Sequence, residues 1–181
     1  LLQKLSPADF SDEGFPFGTA REIEIGYATA LAQRLTFVGE LGWELYLPTE
    51  FVGQIFDLLV AGGEPLGLAL AGYHALDTLR SEKGYRHFGH DVTPGDTPLE
   101  AGLGFAVSFR KEVDFTGRAA LETQKAAGVA RRTAFFRLAD PEPILLHDEP
   151  IWRDGVLIGR TASAAYGYTV GASVAMGYLP V

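Results

Sequence analysis

The chain contains no cysteine and one methionine, Met176. The missing thiol excludes disulfides, thiolate zinc centres and a cysteine nucleophile. An absence of disulfides fits a reducing compartment, so the expected location is the cytoplasm, or the mitochondrial matrix in a eukaryote. Basic residues are scarce: 15 Lys and Arg stand against 23 Asp and Glu, for a net charge of -8. That balance argues against a nucleic-acid partner, which needs clustered cations. One or two local arginines can still hold a small anion. No apolar run approaches the ~20 residues of a membrane span, and no charged-then-apolar leader is visible. No membrane partner is expected. GLGFAV (102–107) and YGYTVG (166–171) carry glycines without the spacing of a phosphate loop, and the Gly-x-Ser-x-Gly nucleophile elbow is absent. The opening LLQKLSPADF has no initiator Met, and reads as a chain entered part-way through.

Hydrophobic residues make up 47% of the 181, enough to build a core and to exclude a disordered chain. The length suits one compact domain, or one with a smaller domain appended. LLQKL reads as the end of a helix broken at Ser6-Pro7, and residues 11–20 as loop. REIEIGY (21–27) and ALAQRLTFV (30–38) alternate as two strands joined near Ala28-Thr29, the second with Leu31, Leu35 and Phe37 at odd positions. WELYLP (43–48) is a third, short strand ended by Pro48. Thr49 is placed to cap a helix over EFVGQIFDLLVA, with Phe51, Ile55, Leu58 and Leu59 on one face and Gly62-Gly63 at its end. AGYHALDTLRSEK (71–83) reads as a second helix stopped by Gly84.

Beyond it, 89–104 is expected as extended loop, FAVSF (105–109) as strand, and 115–128 as a helix with Thr116 as cap and Gly128 as stop. From residue 131 the pattern turns to strands: RRTAFFRL, EPIW, VLIGRTASAA and ASVAMGYLPV, with Asp154-Gly155 as a hairpin turn. The expected fold class is therefore α+β over residues 1–130, followed by a small antiparallel β-barrel over 131–181.

Three places carry candidate chemistry. Glu40 lies between Gly39 and Gly42 in FVGELGWELY, where glycines permit a sharp turn and a close approach. A carboxylate there can accept two parallel N–H donors, although an exposed turn residue has the same spacing. Arg80 falls in line with Leu76 on a partly apolar stripe, as either a snorkelling side chain or one directed at an acidic partner. His87, His90 and Asp91 in HFGHD lack the further ligands a metal site needs, so no metal is expected, while a general acid–base role stays open. Trp43, Trp152, Tyr166 and Tyr168 read as core or barrel-rim aromatics.

The wording of three longer segments is more specific. FVGELGWELYLPTE, AGYHALDTLRSEKGYRHFGHDVTPGDTPLEAGLGFAV and DFTGRAAL resemble the glycine-cleavage T-protein, or aminomethyltransferase, family. The nearest flavour is the folate-binding half of dimethylglycine and sarcosine dehydrogenases. RTASAAYGYTVGASVAMGYLP is similar to that family's C-terminal barrel. The resemblance covers nearly the whole chain in one order. It implies a partial folate-binding domain that contacts tetrahydrofolate through Glu40, on the amino-pyrimidine edge, and through Arg80, in the folate cleft. Phe37-Val38 replaces the family's usual Tyr-Thr, removing a hydroxyl pair.

Members of that family are roughly twice as long, and the portion that precedes these residues holds the aspartate of the transfer chemistry. No catalytic residue is therefore assigned here. The implied activity is transfer of a one-carbon unit from an N-methyl amine of the glycine, dimethylglycine or sarcosine type to tetrahydrofolate. The amine would be met through the other half, and any FAD would sit on a separate upstream domain. The chain alone would be inactive, and the cut face would favour self-association. The competing reading is a non-catalytic structural or docking module of a larger amine dehydrogenase with a vestigial folate pocket. A folate-dependent demethylase acting on another methyl donor is a third.

Overall fold

A computed structural model describes residues 1–181. The chain divides into two compact units, Leu1–Tyr73 and His74–Val181. The first opens with a short helix, α1 (Leu2–Leu5), and a loop. Three strands, β1 (Ala20–Ile25), β2 (Ala28–Gln33) and β3 (Glu44–Tyr46), then form an antiparallel sheet in the order β1-β2-β3.

The turn between β1 and β2 falls at Gly26-Tyr27 rather than at Ala28-Thr29, because Gly26 supplies the positive φ of 57° that a two-residue hairpin needs. β2 is shorter than expected and faces the other way. Ala28, Ala30 and Ala32 are buried, whereas Leu31 and Leu35 are partly exposed. The register explains the choice, since Ile25 lies opposite Ala28 and Ile23 opposite Ala30. Large side chains on one strand and small ones on its neighbour leave room for the helix above them.

That helix is α2 (Thr49–Gly63), and its Phe51, Ile55, Leu58 and Leu59 pack on the sheet as their spacing predicts, with Ile55 fully buried. Thr49 is inside the helix and Pro48 holds the capping position without a side-chain hydrogen bond. A 3-10 turn, Glu64–Leu66, prolongs the helix past the two glycines. Phe10 and Phe15 complete the core, with Trp43 packed edge-on to both at 5.4 and 6.3 Å between ring centroids.

The second unit takes in most of α3 (Tyr73–Glu82), then a turn-rich segment, α4 (Arg118–Ala127) and four strands. FAVSF is not a strand: residues Gly104–Ala106 form a 3-10 turn. With glycines at 102 and 104 and no partner strand, alternation alone does not build a ladder. α4 begins after Gly117, at φ 92°, rather than on a Thr116 cap, and ends at Gly128. The strands β4 (Arg131–Arg137), β5 (Pro150–Arg153), β6 (Val156–Gly167) and β7 (Ala172–Pro180) form an antiparallel sheet in the order β4-β7-β6-β5. Asp154 and Gly155, with φ of 53° and 77°, make the β5–β6 hairpin turn read from the sequence.

Candidate functional site

In the first unit the Gly-Glu turn is built by Gly39, whose φ of 76° is left-handed and favours glycine. Glu40 follows it, with its backbone N–H donating to Thr36 Oγ1 at 3.1 Å, and its side chain on the exposed side of the turn. Gly42 has a different status. A Cβ there would meet only ordinary contacts, 3.6 Å from the Leu35 carbonyl oxygen, so the packing of this unit does not demand a glycine.

Four residues after Glu40, the chain enters β3 and presents a second carboxylate. Glu44 pairs with Gln33 in the ladder, and its Oε2 accepts from the Tyr46 hydroxyl at 2.7 Å. This bond to a carboxylate pushes the Tyr46 phenol above its ordinary pKa. Sequence reading passed over Glu44 because strand alternation marks it only as a solvent-side residue. The strand and the Tyr46 hydroxyl together fix the position of its carboxylate. Beneath this segment, Trp43 Nε1 is buried without a hydrogen-bond partner, and the Arg34 guanidinium lies 5.5 Å from the Trp43 ring.

Arg80, in the second unit, is fully buried, and all five of its N–H donors are engaged. Nε and Nη2 reach Asp77 Oδ1 at 2.7 and 2.5 Å, and Nη1 reaches Asp91 Oδ2 at 2.5 Å and the Tyr85 carbonyl at 3.2 Å. Nη2 also donates to Ser163 Oγ at 2.7 Å. One guanidinium thus ties α3 to the loop after it and to β6. Of the two readings left open by spacing, the structure takes the acidic partner, and that partner lies within the chain.

Asp91 is the other half of this arrangement. Its side chain is as buried as that of Arg80, its Oδ2 also accepts from the His87 backbone N–H at 2.9 Å, and its Oδ1 has no hydrogen-bond partner. Asp91 is therefore an ion-pair partner in the HFGHD segment, and no cluster of three or more His, Cys, Asp or Glu side chains is arranged to hold a metal. His90 stacks on His147 with 4.6 Å between ring centroids. The His147 Nδ1 meets the Ala162 carbonyl, which sits where the β6–β7 register slips between Thr161 and Ser163 and so escapes the ladder.

Comparison with known proteins gives these features a family context. Residues 1–111 match the model described as the GCVT N-terminal domain, and residues 131–181 match the glycine cleavage T-protein C-terminal barrel domain. The second match begins where the sequence changes to strands. Human mitochondrial sarcosine dehydrogenase is 42% identical over 99% of this chain, which covers 19% of that protein. A 4-methylaminobutanoate oxidase (formaldehyde-forming) of Paenarthrobacter nicotinovorans is 44% identical, with 22% of its length covered. The aminomethyltransferase of Symbiobacterium thermophilum is 32% identical over all of this chain and 48% of its own. The crystal structure of the glycine cleavage system aminomethyltransferase T from Bartonella henselae superposes with a TM-score of 0.82 at 27% identity, over 96% of this chain and 47% of that one. The chain spans about a fifth of the curated oxidase and dehydrogenase relatives and about half of the aminomethyltransferases. On two family models that together cover most of the sequence, and on the shared fold, the chain belongs to the glycine-cleavage T-protein (aminomethyltransferase) family.

Proposed function

We propose that this chain forms part of a tetrahydrofolate site in a protein that passes a one-carbon unit from an N-methyl amine to reduced folate. The observation that carries the reading is the 39–46 segment: a left-handed glycine, the turn carboxylate Glu40, and the strand-held pair Glu44 and Tyr46. Folate offers adjacent N–H donors on its amino-pyrimidine edge, and a carboxylate accepts two of them in one plane. Those donors fit a segment that displays acceptors rather than cations. Glu40 is the proposed ligand contact, and Glu44 is a second acceptor within the same stretch.

Arg80 enters the reading as a positioning residue. Its donors are committed within the second unit, so its share is to hold α3, Asp91 and β6 of that unit in one arrangement. Bound tetrahydrofolate would supply the nucleophilic nitrogen. The contribution of these residues is orientation and charge complementarity. The amine substrate, the transfer aspartate and any FAD belong to portions outside these residues. The proposed compartment is the cytoplasm or the mitochondrial matrix, the latter supported by the mitochondrial relatives.

Calorimetric titration of the chain with a reduced folate, alongside Glu40→Gln and Glu44→Gln, tests it. Loss of one charge-assisted acceptor is expected to weaken binding by about 1.5–3 kcal/mol. A loss confined to Glu44→Gln moves the contact from the turn to the strand. Binding by the longer parent that is indifferent to both substitutions overturns the reading. The alternative, a non-catalytic docking module with a vestigial pocket, is favoured by the closed Arg80 network, and absence of folate binding in both chain and parent would establish it.

A further inference from the structure

The segment after β4 and the β6–β7 turn border an open surface pocket of about 560 Å³ in the second unit, which the folate reading does not use. Pro141, Glu142, Ile144, Tyr166, Tyr168 and Gly171 line it, and none of them is cationic. Its size lies within the range of small-molecule sites. Tyr166 and Tyr168 approach with ring centroids 5.3 Å apart and planes at 70°, so they form two walls of a corner. Tyr168 is 80% exposed and Ile144 66%, a large apolar surface held open to solvent. The Glu142 carboxylate makes no ion pair or hydrogen bond within the chain, and only its backbone N–H is used, toward Asp140 Oδ1 at 3.1 Å.

Both walls are fixed from behind. Ser173 lies opposite Tyr166 in the β6–β7 ladder and is fully buried. Its hydroxyl donates to the Pro143 carbonyl at 2.7 Å and accepts from the Leu145 N–H at 3.2 Å, the residues that flank Ile144. On the other side, the Thr169 N–H donates to the Glu82 carboxylate at 2.7 Å and the Gly171 N–H to the Gly167 carbonyl at 2.7 Å. Tyr168 thus stands on an anchored turn. The buried Ser173 satisfies two backbone groups of the irregular segment between β4 and β5, which fixes that segment against β7.

Electron-rich ring faces attract cations whose charge is spread over apolar groups, and a free carboxylate adds long-range attraction without demanding a hydrogen-bond donor. We propose that this pocket binds an alkylated ammonium ion, with Tyr166 and Tyr168 against its alkyl groups, Ile144 and Pro141 as the apolar floor, and Glu142 balancing the charge. The proposal is independent of the folate reading, and either can fail without the other.

The test is an NMR titration of the whole chain, observing tyrosine ring and isoleucine methyl resonances. The probes are choline chloride, its neutral isostere 3,3-dimethylbutan-1-ol, and sodium chloride at equal ionic strength. Choline is expected to shift Tyr166, Tyr168 and Ile144 saturably, with the alcohol about tenfold weaker or more. Tyr168→Leu should weaken choline binding about tenfold, and Glu142→Gln about threefold, while the exposed position of Tyr168 leaves the unfolding temperature unchanged. Equal binding of the alcohol would make the pocket an apolar groove and overturn the proposal. So would the absence of a saturable choline shift, or full choline affinity in Tyr168→Leu.

Discussion

At the residue scale, the Arg80–Asp91 pair has the largest predicted effect. Arg80→Ala leaves Asp91 buried without its cation and with the His87 N–H as its one remaining donor, and is expected to cost about 3–5 kcal/mol in urea unfolding. Asp91→Asn keeps an acceptor for the His87 N–H and leaves Arg80 paired with Asp77, so its cost is expected to be smaller, about 1–3 kcal/mol. Tyr178 gives a pH signature. Its hydroxyl is buried, and burial pushes its pKa above the ordinary 10.0. The folded state then binds the phenolic proton more tightly than the unfolded state does. The associated stability is complete below about pH 10 and is lost as pH rises through the folded value. Tyr178→Phe is expected to flatten that alkaline slope in unfolding measured from pH 9 upward. Spacing alone placed Arg80 on a stripe, but it could not say that the stripe faces inward, because its partners outside the helix, Tyr85, Asp91 and Ser163, are brought to it by the loop after the helix and by a strand 83 residues away.

At the element scale, the end of α3 shows local and tertiary demands at one glycine. Gly84 has a φ of 67°, its N–H bonds to the Ser81 carbonyl, and the next N–H returns to Arg80. A Cβ at this position would also stand 2.8 Å from the Phe135 ring. Gly84→Ala is therefore expected to destabilise by more than about 1 kcal/mol, read from the thermal midpoint. Gly155→Ala, at φ 77° with open space around it, should show the conformational penalty without the clash. The C-terminal glycine of α3 was legible in the sequence, as was the Asp154-Gly155 hairpin, because both depend on backbone conformation that few residues adopt. FAVSF and the inward face of β2 were misread because alternation does not say whether a partner strand exists or which side a helix will cover.

On the scale of the whole molecule, the sequence boundary near residue 130 and the division at Tyr73/His74 describe different things. The first marks a change of pattern from mixed elements to strands; the second follows where contacts are dense. The structural unit of the β-sheet includes α3 and the 85–104 loop because Arg80 bridges to Ser163 and Glu82 to Thr169. If the transfer aspartate lies outside these residues, as the proposed function has it, the 181-residue chain assayed alone should form no methylenetetrahydrofolate from an N-methyl amine in an absorbance assay with reduced folate. Measurable turnover by the chain alone would move the transfer chemistry into these residues.

By itself, the sequence determined the family, the helices α2 and α3, the strand-rich C-terminal part, and the turns governed by glycine. Each rests on local conformational preference or on long segments of specific wording. Only the tertiary structure decided that Arg80 and Asp91 are one buried unit, that the Arg80 guanidinium reaches Ser163, and that Tyr166 and Tyr168 form a corner. Those arrangements depend on side chains meeting across strands, turns and loops, and periodicity along one segment carries no information about what the rest of the chain brings to it.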